Sequence, residues 1–281
     1  MKPAPLPSPL RPSRGTLYLG AGLTSAFVLA ALFGPTVAPF GRDALDLAAE
    51  LSPPSPTHLL GAGENGIDLW SHILLGARLS LGVAVSAVTI SLGVGALVGG
   101  VAGYLGGLWD QLLMRMVDVV LAFPGILLAI FITAVLGPSV FNVVLALCVT
   151  GWTGYARLAR AQVLSLRERE YVLAARAMGA GHARILLRHI LPNAAGPLLV
   201  QATFAVPGTI LAEASLSFLG LGVPPGTPSW GALIDQGTQY LLVAPHVAIF
   251  PGIAIAVTVL GFNFLGDALR DALDPKGAGQ R

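Results

Sequence analysis

Two carboxylates, Asp118 and Glu213, stand inside otherwise apolar runs, and between residues 157 and 188 seven arginines gather against only Glu168 and Glu170. Those arginines are Arg157, Arg160, Arg167, Arg169, Arg176, Arg184 and Arg188. A carboxylate within a membrane span is costly unless it faces other protein or a water-filled path, so Asp118 and Glu213 are candidates for a translocation path. Glu213, counted from Pro197, falls near the outer end of its span, where contact with interfacial water is the competing reading. Catalytic residues are not in evidence. A phosphate-cradling G-x-x-x-x-G-K-S/T loop needs a lysine in that setting, and the chain has only Lys2 and Lys276. His58, His72, His182, His189 and His246 are scattered without metal-ligand spacing, and no G-x-S-x-G elbow occurs. The single Cys148 excludes a disulfide framework and a cysteine metal site within the chain. No cofactor is expected, and any ATP-derived energy must come from another chain.

The elements that must position these residues are membrane helices. With 281 residues, 54% hydrophobic and 11% charged, and a mean hydropathy of +0.77, the chain is too apolar for a water-soluble domain of this size. A net charge of +2 gives no case for nucleic acid. Residues 1–15, rich in proline, read as a disordered tail, and 16–38 as a first span; a cleaved leader ending near Ala38 is the competing reading, disfavoured by the further spans that follow. Residues 39–77 are acidic and belong outside. Further spans fall at about 79–104, 116–136, 140–157, 197–219 and 245–266, within a core of 78–270, and 271–281 form a charged tail. In the second span Gly93, Gly95, Gly99 and Gly103 suit close helix packing. Pro124-Gly125 kinks the third. Trp230 and Tyr240, in an outer loop over 227–244, suit interface anchors. The arginine asymmetry puts the 158–196 loop and both termini in the cytoplasm, with the protein multi-pass in the cell membrane.

The arginine-rich loop has its own pattern. Tyr171, Ala174, Ala175 and Met178 fall at i, i+3, i+4 and i+7 on one face of a helix, with Arg169 and Arg176 on the other. Gly179 and Gly181 stop that helix; a second helical run from Ala183 to Leu191 ends at Pro192, and Pro197 opens the next span. Small residues let a partner's backbone approach closely, and the arginines can pair with its carboxylates. A helix lying on the bilayer surface is the alternative.

At these residues the chain resembles a known family. Ala174-Ala175, three residues, Gly179, then Leu191-Pro192 resemble the EAA loop of membrane subunits of ABC-type importers, which contacts the cytoplasmic ATPase; Leu173 stands where the family has Glu, with Glu170 three residues earlier. The piece from His58 to Leu81 resembles the LGTDxxGRDxxSRxxxGARxSL signature of the peptide-importer branch. There Leu60, Gly61, Gly66, Asp68, Ser71, Gly76, Arg78, Ser80 and Leu81 match, while Ala62, Gly63, Ile67 and His72 replace the Thr, Asp and two Arg. MRMVDVVLAFPGILLAI and EASLSFLGLGVPPGTPSWG are similar to the same branch, and the likeness covers Leu59 to Lys276. It implies an all-α membrane protein with six transmembrane helices, the type I ABC importer transmembrane fold and a cytoplasmic coupling-helix loop. It also implies a permease subunit carrying dipeptides or oligopeptides, or nickel chelates. The implied partners are a homologous second permease, two ABC ATPase subunits, an external substrate-binding protein and membrane lipid. Glu170, Tyr171, Ala174, Ala175, Met178, Gly179, Leu191 and Pro192 are the ATPase-coupling residues on this reading. A stand-alone ion-coupled transporter, the alternative from another class, calls for midplane ionisable groups and internal repeats, and the chain shows few of the first and no clear repeat.

Overall fold

The computed structural model describes residues 14–273. The two expected tails, 1–15 and 271–281, lie outside the described residues except where helix reaches into them at either end. All the regular structure described is helical, apart from one isolated bridge between Ala62 and Asp68. The α-helices are α1 (Arg14–Val37), α2 (Leu69–Leu105), α3 (Gly107–Leu121), α4 (Gly125–Leu136), α5 (Val140–Leu166), α6 (Glu170–Ala177), α7 (His182–Arg184), α8 (Leu191–Phe218), α9 (Trp230–Gln239) and α10 (His246–Leu273).

α2 is the mast of the molecule. Its 37 residues reach about 55 Å at the helical rise. It begins ten residues before the expected span because Asp68 caps it, accepting from Ser71 N at 2.8 Å and Ser71 Oγ at 2.7 Å. Ser71 Oγ in turn accepts from Phe40 N at 3.1 Å, which ties the acidic 39–68 segment to the helix. α2 and α5 share the most extensive contact in the fold. The glycine ladder is why: a Cβ at Gly95 would lie 2.5 Å from the Trp152 carbonyl oxygen, and one at Gly99 would collide with that of Ala156. Gly93, by contrast, has open space beside it.

Four helices are long and apolar enough to cross a membrane, or five if α3 and α4 count as one bent span. The six expected spans are therefore not all apparent by composition. The difference is α5: at 27 residues it is long enough, but its second half carries Thr150, Thr153, Arg157 and Arg160, too polar a stretch to qualify. At Pro124 the expected kink is a full break, with α3 and α4 meeting at 80°, since Pro124 has no N–H to donate to the ladder.

Two further expectations need correction. Helix does not end at Pro192; α7 passes through a π-helical turn, Ile185–Ile190, into α8, which runs through Pro192, Pro197 and Pro207. Pro192, which has no N–H to donate, falls where the π-helical turn passes into α8, and Asn193 Nδ2 donates to the His189 carbonyl at 2.7 Å. Residues 230–239 are helix α9 rather than loop, and Trp230 is 2% exposed instead of standing at an interface. Its indole packs on Gly76 and Phe27, and Nε1 donates to the Ile73 carbonyl at 2.9 Å. That ring centres one cluster, joining α1, α2, α9 and α10 through Phe27, Ile73, Ile255 and Phe262. A separate cluster at the opposite, arginine-rich end gathers Tyr104, Val163, Val172, Ala175, Ile185 and Ile190.

Candidate coupling hairpin and buried carboxylate

α6 stops as glycine chemistry dictates. Gly179 takes φ +81°, its N–H bonds the Arg176 carbonyl at 3.0 Å, and Ala180 N–H bonds the Ala175 carbonyl at 3.0 Å. This double bond pattern is the Schellman cap, and nothing lies within 4 Å of where a Cβ would sit, so backbone strain alone reserves the position for glycine. The helix turns back on itself there and α7 follows at once.

The two faces of α6 differ from the expected stripe. Val172 and Ala175 face inward, 0% and 3% exposed, against the ends of α2 and α5 and the π-helical turn. Ala175 is thus buried in the chain's own core and not in the outward face with Tyr171, Ala174 and Met178. The β-branched valine and the small alanine, three apart, fill a narrow space that a longer pair would not fit. Outward stand Glu170, Tyr171, Leu173, Ala174 and Met178, the last 81% exposed. Leu191 packs half-buried on the same inner cluster, and Pro192 is exposed.

Three polar contacts that sequence reasoning missed pin this end. Tyr104, in the last turn of α2, brings its hydroxyl 3.1 Å from His182 Nδ1, with the rings edge to face at 5.7 Å. Arg167 Nη1 donates to the Gly103 carbonyl at 2.9 Å, a cation on the orphan carbonyls at the C-terminus of α2. Arg160 holds Asp110 with both Nε and Nη2, the latter at 2.6 Å. A guanidinium paired to an acid in two bonds fixes direction as well as distance. The arginine count in the sequence was the available signal, but not which acids it would meet.

Asp118 pairs with Arg157 at 2.8 Å, both about half exposed, and so continues the binding of α3 along α5. Glu213 stands apart from it and is 0% exposed. Its Oε1 accepts from Ser217 Oγ at 2.9 Å and Ser229 Oγ at 3.0 Å, and Oε2 from Ser80 Oγ at 3.0 Å. The carboxylate therefore reaches no interfacial water; it knots α2, α8 and the start of α9. No cluster of metal-ligating side chains occurs among the described residues.

The sequence as a whole has relatives among known proteins. The chain is 43% identical, over 92% of its length and 85% of the relative's, to the dipeptide transport system permease protein DppC of Alkalihalophilus pseudofirmus. It is 45% identical to the glutathione transport system permease protein GsiD of Shigella dysenteriae, over 89% of this chain and 82% of that one. The GsiD of Escherichia coli matches to the same extent. Residues 95–278, which include α5, the hairpin, Glu213 and α10, match the family of binding-protein-dependent transport system inner membrane components. With that match spanning most of the chain, the protein belongs to the inner membrane components of binding-protein-dependent transport systems.

Proposed function

We propose that the chain is one of two homologous permeases in an ATP-driven importer of dipeptides and oligopeptides. Two ATPase subunits drive it from the cytoplasm, and an external binding protein delivers the cargo. Peptide cargo rests on the relatives, whose names carry dipeptide and glutathione, both built on amide bonds. In this reading six spans cross the membrane, α5 being the polar one, with both termini and the arginine-rich end inside.

The observation that carries the mechanism is the division of α6 into an outward face and an inward face bolted to the ends of α2, α5 and α8. Tyr171, Ala174 and Met178 dock in a groove of the ATPase. When the ATPases close on ATP, the hairpin moves as a unit, because Val172 and Ala175 pack tightly on the spans and the Tyr104–His182 and Arg167–Gly103 bonds hold its surroundings. A packed contact passes displacement on rather than absorbing it. The spans then swing between inward-open and outward-open arrangements, and each ligand biases the state it fits better.

Reconstitution in proteoliposomes tests this. Uptake of labelled dialanine is expected only when the second permease, both ATPases, the binding protein and ATP are all present, and the chain alone hydrolyses no ATP. Uptake by the single purified chain on an ion gradient would overturn the reading.

A further inference from the structure

Midway along the spans, α2, α5 and α8 leave a cleft of about 90 Å³ lined by Ser91, Gly151, Gly154, Tyr155, Gln201 and Thr209. Tyr155 forms its floor. The ring is 3% exposed, and its hydroxyl is buried without a hydrogen-bond partner among the described residues. Gly151, Gly154 and Gln201 are exposed at the rim, and the Gln201 side chain makes no hydrogen bond among the described residues. Thr209 spends its proton on the Ala205 carbonyl at 2.8 Å, leaving its oxygen to accept.

A buried hydroxyl without a partner carries the cost of an unmade hydrogen bond, and a glutamine facing outward at mid-span is unfavourable in contact with lipid. Each needs a polar neighbour that the isolated chain does not supply. Gly154 has open space beside it, whereas a Cβ at Gly151 would lie 2.8 Å from Ser91 Oγ, so that glycine lets α5 come close to α2 at the cleft. None of the lining residues is charged, so the cleft is matched to a neutral group that both donates and accepts. A single amide unit, with one N–H donor and one carbonyl acceptor, matches these polar groups.

We infer that the Tyr155–Gln201 cleft is a contact site in the translocation path that holds one peptide-bond amide of the passing substrate, an inference that rests on the peptide-importer reading. Recognition of the main-chain amide by neutral donors and acceptors leaves side chains and charged termini unread. Such a site would serve peptides of varied sequence, with selection left to the binding protein.

The test uses the complete transporter in proteoliposomes, with dialanine and saturating binding protein, comparing Tyr155→Phe and Gln201→Ala with the wild type. Each variant is expected to lower dialanine imported per ATP hydrolysed by about three- to tenfold, the range for loss of one neutral hydrogen bond. ATPase association and stimulated hydrolysis should remain at wild-type levels. Tyr155→Phe removes an unpartnered hydroxyl, so its thermal unfolding temperature should not fall; a hydroxyl with only a structural role would leave transport per ATP unchanged. If the wild type imports dialanine and both variants match it, the cleft has no such role. Loss of the second permease from Gln201→Ala on purification would also overturn the inference, by placing the cleft against that partner. If the wild-type complex imports no dialanine at all, the peptide reading falls and this one with it.

Discussion

Glu213 shows how much a single side chain can hold. Three serine hydroxyls from three parts of the chain donate to one carboxylate with no access to solvent. Glu213→Ala leaves all three without an acceptor and opens a void, at a cost of about 3 kcal/mol or more. Glu213→Gln keeps the volume and one acceptor oxygen and should cost nearer to 1 kcal/mol. Thermal unfolding in detergent checks the order, with the alanine variant several degrees below the glutamine variant; equal unfolding temperatures for wild type and Glu213→Ala would remove the knot. The sequence marks Glu213 as unusual because a carboxylate sits in an apolar run. It does not reveal Ser80, 133 positions away, because the approach of α2 to α8 is a tertiary fact. Tyr155 is the same case, an ordinary aromatic at the end of an apolar run until three helices surround it.

At the scale of elements, local chemistry is legible and long-range packing is not. The Gly179 turn is readable because glycine just past a short helix is the residue that accepts a positive φ without strain. The Gly95, Gly99 and Gly103 ladder is readable as a packing face, though not that α5 would be its partner. Trp230 suits an interface as long as 227–244 reads as an outer loop; the space left at Gly76 draws it inside instead. The outward face of α6 was half readable, since 3.6-residue periodicity names a stripe but not which edge of it the protein itself covers. This distinction separates two substitutions one residue apart. Ala175→Glu forces a carboxylate into the inner cluster with Val172 and Ile185 and should destabilise the hairpin by several kcal/mol. Ala174→Glu, exposed in the chain, should leave the fold intact and abolish ATPase co-purification. Purifying both at matched membrane expression checks this; an Ala174→Glu variant that retains wild-type ATPase would put docking elsewhere.

The whole molecule reads as a two-ended device. One end is the Trp230 cluster, Glu213 and the acidic 39–68 segment bound to α2 through Asp68. The other is the arginine-rich hairpin, bolted to the ends of α2 and α5 and continuous with α8. Between them lie the spans, whose count by composition falls short of six because the second half of α5 carries Thr150, Thr153, Arg157 and Arg160. On the proposed function, the hairpin end, and no other part of the molecule, meets the ATPase. A photoreactive benzophenone side chain placed at Met178 in the complete transporter measures this most directly, with the same probe at the fully exposed Leu242, between α9 and α10, as its counterpart. Illumination should join Met178 to the ATPase subunit and give no ATPase adduct at Leu242; adducts of Met178 with lipid alone, or an ATPase adduct at Leu242, would contradict the account.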